Sequence, residues 1–157
     1  MPARRLLILV IVSAAVLSGC PSAPTAPEPR FPAQFVDTVL DAEPAQAAAS
    51  VAATWPGAAE VPGAFQRFDI DASEILEEVI LFRNVRTGRV DSVILKYKAD
   101  LGPQDRRAVF AAVAHPEFEG VDEVREVPWR RGMRLRMTPS DRFGRLTLTV
   151  EPVPEPR

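Results

Sequence analysis

Two stretches of the chain alternate between apolar and polar positions. In residues 131–138, RGMRLRMT, Met133, Leu135 and Met137 fall on one side and Arg134 and Arg136 on the other. In residues 144–151, GRLTLTVE, Leu146, Leu148 and Val150 alternate with Thr147 and Thr149. A period of two is that of a strand with one buried and one wet face. PSDRFG, residues 139–144, joins the pair and predicts a hairpin. A second hairpin is predicted from EEVILFRN, residues 77–84, and RVDSVILKYK, residues 89–98, which flank VRTG with its turn glycine Gly88. There the alternation turns Val93, Leu95 and Tyr97 inward and Lys96 and Lys98 outward. AFQRFDI, residues 64–70, and VDEVREV, residues 121–127, are weaker strand signals.

Helical patterning is confined to alanine-rich segments. One runs from about Phe35 to Trp55 with a break at Pro44, since a proline ends one helix and opens the next at its first turn. Another runs from Pro103 to His115 and is closed by Pro116, with Leu101, Val109, Ala112 and Val113 facing inward. An internal echo links the two regions. AASVAATWPGAAEV, residues 48–61, agrees with AVFAAVAHPEFEGV, residues 108–121, at four of fourteen positions. In each case a helix precedes and a hairpin with Gly-Arg in its turn follows, Gly88-Arg89 and Gly144-Arg145. The expected fold class is α+β: an antiparallel sheet of about six strands with two or three helices on one face, built from a possible duplication of a helix-plus-three-strand unit.

Composition and charge change this picture little. The span from residue 34 to 153 is enough for one core. Residues 34–82 carry one basic and nine acidic side chains, residues 83–157 fifteen basic and eleven acidic. That asymmetry marks an interaction surface only if the two halves do not interleave in space. Proline is concentrated outside the domain. PSAPTAPEPRFPA, residues 21–33, cannot join a helix or a ladder and is expected to be an extended spacer of roughly 40 Å. Residues 154–157 are expected to fray.

The first twenty residues, MPARRLLILVIVSAAVLSGC, join a basic start at Arg4 and Arg5 to an apolar run ending in small residues. These are the parts of a secretory signal, and a run of about a dozen apolar residues is short of the roughly 20 that a spanning helix needs. Leu17-Ser18-Gly19-Cys20 resembles the lipobox of bacterial lipoproteins at each of its positions. The resemblance implies that residues 1–19 are removed and that Cys20 is lipidated, with a diacyl group on sulfur and an acylated amino terminus. The mature chain is then anchored to a bacterial membrane. Pro21 stands where an Asp would retain it at the inner membrane, so the outer one is favoured if the cell has one. Lipidation also accounts for a lone cysteine in an exported protein.

Candidate chemistry is sparse. His115, the lone histidine, sits at a helix end where it complements the dipole. No Gly-x-Ser-x-Gly elbow accompanies it, and Ser50, Ser73, Ser92 and Ser140 fall in helix, cap, strand and turn contexts. Asp69, Asp71 and Ser73 imitate the start of a calcium loop, but the sixth position is Glu74 and the twelfth Ile80, where Gly and a bidentate Glu are needed. Asp71 and Glu74 read better as a capping box. Glu117, Glu119, Asp122 and Glu123 are the carboxylates available to an alternative role as a carboxylate-dependent envelope hydrolase. What remains is a basic strand face of Lys96, Lys98, Arg134 and Arg136, with Arg130 and Arg145 near its edge. On an anchored domain it suits an envelope protein, an anionic lipid or a cell-wall component. Nucleic acid does not suit the compartment or the negative mature charge. The sequence therefore predicts a non-enzymatic envelope binding or structural module with no catalytic residue, no metal and no cofactor.

Overall fold

A computed structural model describes residues 28–113, 124–130, 132–140 and 145–154. The helices are α1 (Ala33–Val39), α2 (Pro44–Thr54) and α3 (Pro103–Ala112). The strands are β1 (Ala59–Val61), β2 (Gln66–Asp69), β3 (Leu76–Arg83), β4 (Val90–Tyr97), β5 (Arg125–Pro128), β6 (Met133–Thr138) and β7 (Thr147–Pro152). All seven strands form one open antiparallel sheet in the order β1-β2-β3-β4-β7-β6-β5.

Proline and a few turn residues punctuate these elements. α2 and α3 both open with proline at the first helical turn, Pro44 and Pro103, where the missing N–H costs nothing. Between α1 and α2 the chain reverses at Asp41, whose φ of 66° is a left-handed value that Asp tolerates. At the β3–β4 turn Asn84 Oδ1 accepts from the N–H groups of Arg86 and Thr87, and Gly88 adopts a φ of 73°.

One face of the sheet is buried and the other is open. Phe68, Val79, Leu81, Val93, Leu95, Leu135, Met137, Leu148 and Val150 alternate inward and form a single core with Val36 and Val39 of α1, Ala47 and Val51 of α2, and Val109 and Phe110 of α3. The helices therefore share one face, as the period-two pattern requires. The expected six strands become seven because β1 exists: three residues at a sheet edge are too few to show alternation. α2 is followed by four strands, β1-β2-β3-β4, and α3 by three, β5-β6-β7, so the expected helix-plus-three-strand unit appears twice only when the edge strand β1 is set aside. The two triplets meet at the β4–β7 pair with their outer strands in mirrored sequence, the order of a two-fold arrangement. His115, Pro116, Glu117, Glu119, Asp122, Glu123 and Cys20 lie outside the described residues.

The segment expected to be a free spacer needs correcting at its inner end. Residues 28–33 are part of the fold. Phe31 is buried and meets Trp129 edge-on at 5.3 Å between ring centroids. The Tyr97 hydroxyl donates to the Arg30 carbonyl at 2.9 Å. Burial, with the Glu28 carboxylate nearby, pushes the Tyr97 phenol far above its ordinary value, so it stays a neutral donor. Pro29 and Pro32 exclude regular structure here but not docking, and Phe31 supplies the apolar area that makes docking favourable.

Candidate functional site

The open sheet face carries the strand cations expected from the sequence, but each is already engaged. Glu78, on β3, lies opposite Lys96 of β4 and pairs with its Nζ at 2.8 Å, while Arg67 of β2 approaches from the other side at 3.4 Å. Glu78 is only 7% exposed. Arg134 lies opposite Glu151 across the β6–β7 pair and reaches Glu151 at 2.6 Å and Glu126 at 2.8 Å. The Glu151 hydrogen bond raises the guanidinium further above its already high pKa. Arg136 stands 3.9 Å from Glu126. Lys98 leaves the face altogether: its Nζ donates to the Ser73 carbonyl at 2.6 Å, at the end of the sheet. Arg130 is tied to Asp41 and Arg145 to Glu77. The face is thus a ladder of opposite charges and threonines, not a positive field. Sequence could place the cations on one side of their strands. It could not show that Glu78, Glu126 and Glu151 arrive beside them from other strands.

This ladder carries a prediction for stability. Glu78→Ala leaves the half-buried Lys96 ammonium without its partner and should cost about 1–3 kcal/mol in urea unfolding. Arg136→Ala, at an exposed pair, should stay within about 0.5 kcal/mol.

Away from the ladder, two arginines without a partner lie at one end of the sheet. Among the described residues, Arg83, Arg86 and Arg107 are the arginines whose side chains make no ion pair or hydrogen bond. Two of these three flank Val85 on the β3–β4 turn, and Val85 is 98% exposed. Beside the turn, the β1–β2 loop presents Phe65, 55% exposed, with its ring 4.9 Å from Phe82. Together they border an open groove of about 1040 Å³ lined by Val61, Pro62, Phe65, Phe82, Arg83 and Val85, among others. The exposed Glu60 also lines it. Sequence pointed to none of this. The signal available was a valine and two arginines within a turn, and Phe65 in a proline- and glycine-rich loop, which becomes informative only when the two loops adjoin.

At the opposite end of the sheet, polar groups converge on Glu28. Its carboxylate accepts from Trp55 Nε1 at 2.9 Å, from Ser73 Oγ at 2.7 Å and from the Glu74 N–H at 3.1 Å. Ser73 is buried, and its Oγ also accepts from the N–H groups of Ile75 and Leu76. The capping box expected of Asp71 and Glu74, for a short turn, is corrected in its residue: the turn leading into β3 is there, and Ser73 is the side chain that accepts its N–H groups. No group of three or more His, Cys, Asp or Glu side chains among the described residues is placed to hold a metal ion. No helix among them is long and apolar enough to cross a membrane. No family model, curated protein or solved structure matches the chain.

Proposed function

We propose that the chain is a lipid-anchored, non-enzymatic envelope module that binds a partner protein through the groove at the β3–β4 turn. The observation that carries this is the coincidence of Val85, the most exposed of the described large apolar side chains, with Phe65 and with two arginines without a partner, Arg83 and Arg86. A docking patch needs such an apolar centre with charges at its rim. The partner that fits is a protein segment with apolar side chains flanked by carboxylates. The anchor at Cys20 rests on the lipobox resemblance and would hold the chain at the outer membrane of a cell that has one.

The polarity of the domain supports the choice of this end. Glu28, the first described residue, lies beside Ser73, just before β3, while Val85 lies just past the far end of that strand. Eight strand residues at about 3.3 Å each separate the two by roughly 25 Å. A domain held from the Glu28 end would present the turn away from an anchoring bilayer. The open sheet face, with its charges compensated, offers little beyond its threonines.

The test is capture of partners from envelope extract by the full-length protein in detergent. Val85→Asp combined with Phe65→Ser should reduce recovery of the specific partner about tenfold or more, as loss of central interface anchors does. Arg136→Ala should leave it unchanged. Equal recovery by the two variants would remove the groove from consideration.

A further inference from the structure

We infer that the entry end of the sheet is a carboxylate receptor, occupied in this structure by the chain's own Glu28, and that a competing carboxylate displaces Glu28 and frees residues 28–32. The donors are disposed for a carboxylate. Trp55 Nε1 serves Oε1 at 2.9 Å, the Glu74 N–H serves Oε2 at 3.1 Å, and Ser73 Oγ lies within reach of both oxygens at 2.7 and 2.9 Å. Ser73 is the decisive group. It is 3% exposed, and its Oγ takes the Ile75 and Leu76 N–H groups at 3.2 and 2.8 Å. A hydroxyl has two acceptor positions and one proton. With both acceptor positions filled from the backbone, the proton is left to point at the ligand. Lys98 adds positive charge nearby, its Nζ 2.6 Å from the Ser73 carbonyl. An indole N–H, a backbone N–H and a hydroxyl whose acceptor positions are already filled form a site that takes an anion.

The rest of the strap is held by Arg30, which pairs with Asp105 at 3.0 Å through half-exposed side chains and gives its carbonyl to the Tyr97 hydroxyl, and by Phe31, which is buried against Trp129. Glu28 makes the outermost of these contacts along the described chain. The consequence for reach rests on the lipid-anchor reading; the receptor itself does not. On that reading, release of residues 28–32 adds five residues, about 15 Å at roughly 3.1 Å per residue, to the reach of the domain from Cys20. A carboxylate at this receptor would then change how far the β3–β4 turn stands from the membrane.

The test uses the full-length protein in detergent, with sodium acetate as probe and sodium chloride at equal ionic strength as control. In Glu28→Ala trypsin should cut the Arg30–Phe31 bond about tenfold faster or more than in the unaltered protein. Acetate should give Glu28→Ala a saturable change in tryptophan fluorescence that chloride does not reproduce and that Ser73→Ala in the same background abolishes. Unchanged cleavage at Arg30, or identical responses to acetate and chloride, would overturn the inference. Should Glu28→Ala fail to fold, the unaltered protein decides: acetate in excess should speed cleavage at Arg30 relative to chloride, and no acceleration would count against the receptor. The anchor is scored separately, from the mass of the peptide bearing Cys20.

Discussion

Leu95→Ala should lower the unfolding free energy by about 2–5 kcal/mol, the range for deleting a fully buried leucine. Leu95 is 1% exposed, at the middle of β4, opposite Val79 on β3 and Leu148 on β7. It therefore touches the seam where the two strand triplets meet. A cavity at that seam has no loop or surface into which to collapse, which places the cost toward the upper end of the range. A domain of this size has about 5–15 kcal/mol in all, so the variant should approach the threshold of folding. The two tryptophans report on opposite halves: Trp55 follows α2 and packs on Phe35, and Trp129 follows β5 and packs on Phe31. In urea the loss of their native signals should coincide in Leu95→Ala as in the unaltered protein, because a single core runs through both halves. Two separated transitions would mean that the triplets fold independently, whatever their shared sheet.

Cys20→Ser should leave the chain unacylated and unprocessed, so that it keeps residues 1–19 and stays with the membrane only through their apolar run. Each buried acyl methylene contributes about 0.8 kcal/mol, so two or three chains hold durably where one does not. Serine offers no thioether, and both the acyl chains and the cleavage that depends on them would be lost. Fractionation of cells followed by intact-mass measurement reads both effects. A Cys20→Ser protein that stays with the membrane at the mature mass would show that the lipobox resemblance is accidental.

Much of the fold was legible because its signals are local. Both hairpins follow from alternation plus a turn glycine or a polar loop, and α2 and α3 begin at the prolines that a helix accepts in its first turn. Inward and outward positions on β4, β6 and β7 also follow from parity, and the core residues Leu95, Leu135, Met137 and Leu148 are those the pattern selects. What escaped is non-local. The placement of β7 between β4 and β6 decides which carboxylates meet which arginines, and no periodicity encodes it. Glu151 and Glu126 neutralise Arg134 from two neighbouring strands, so the basic strand face dissolves on folding. The strap was hidden for a related reason. Proline content argues against helix and ladder, but a segment can dock without either, and Glu28 finds Trp55 and Ser73 twenty-seven and forty-five residues away. The groove escaped because Phe65 and Val85 belong to different loops, and each is uninformative alone.

The claim at the centre is that the β3–β4 turn is the surface this domain offers to a partner. Site-specific photocrosslinking in intact cells tests it most directly, with a photoreactive residue placed at Val85 in one strain and at Thr149, in the middle of the open sheet face, in another. The expected result is a discrete protein adduct from position 85 that is lost when Phe65 is also changed to Ser, and none from position 149. An adduct from position 149 alone, or none from position 85 in cells where the chain is correctly anchored, would contradict it.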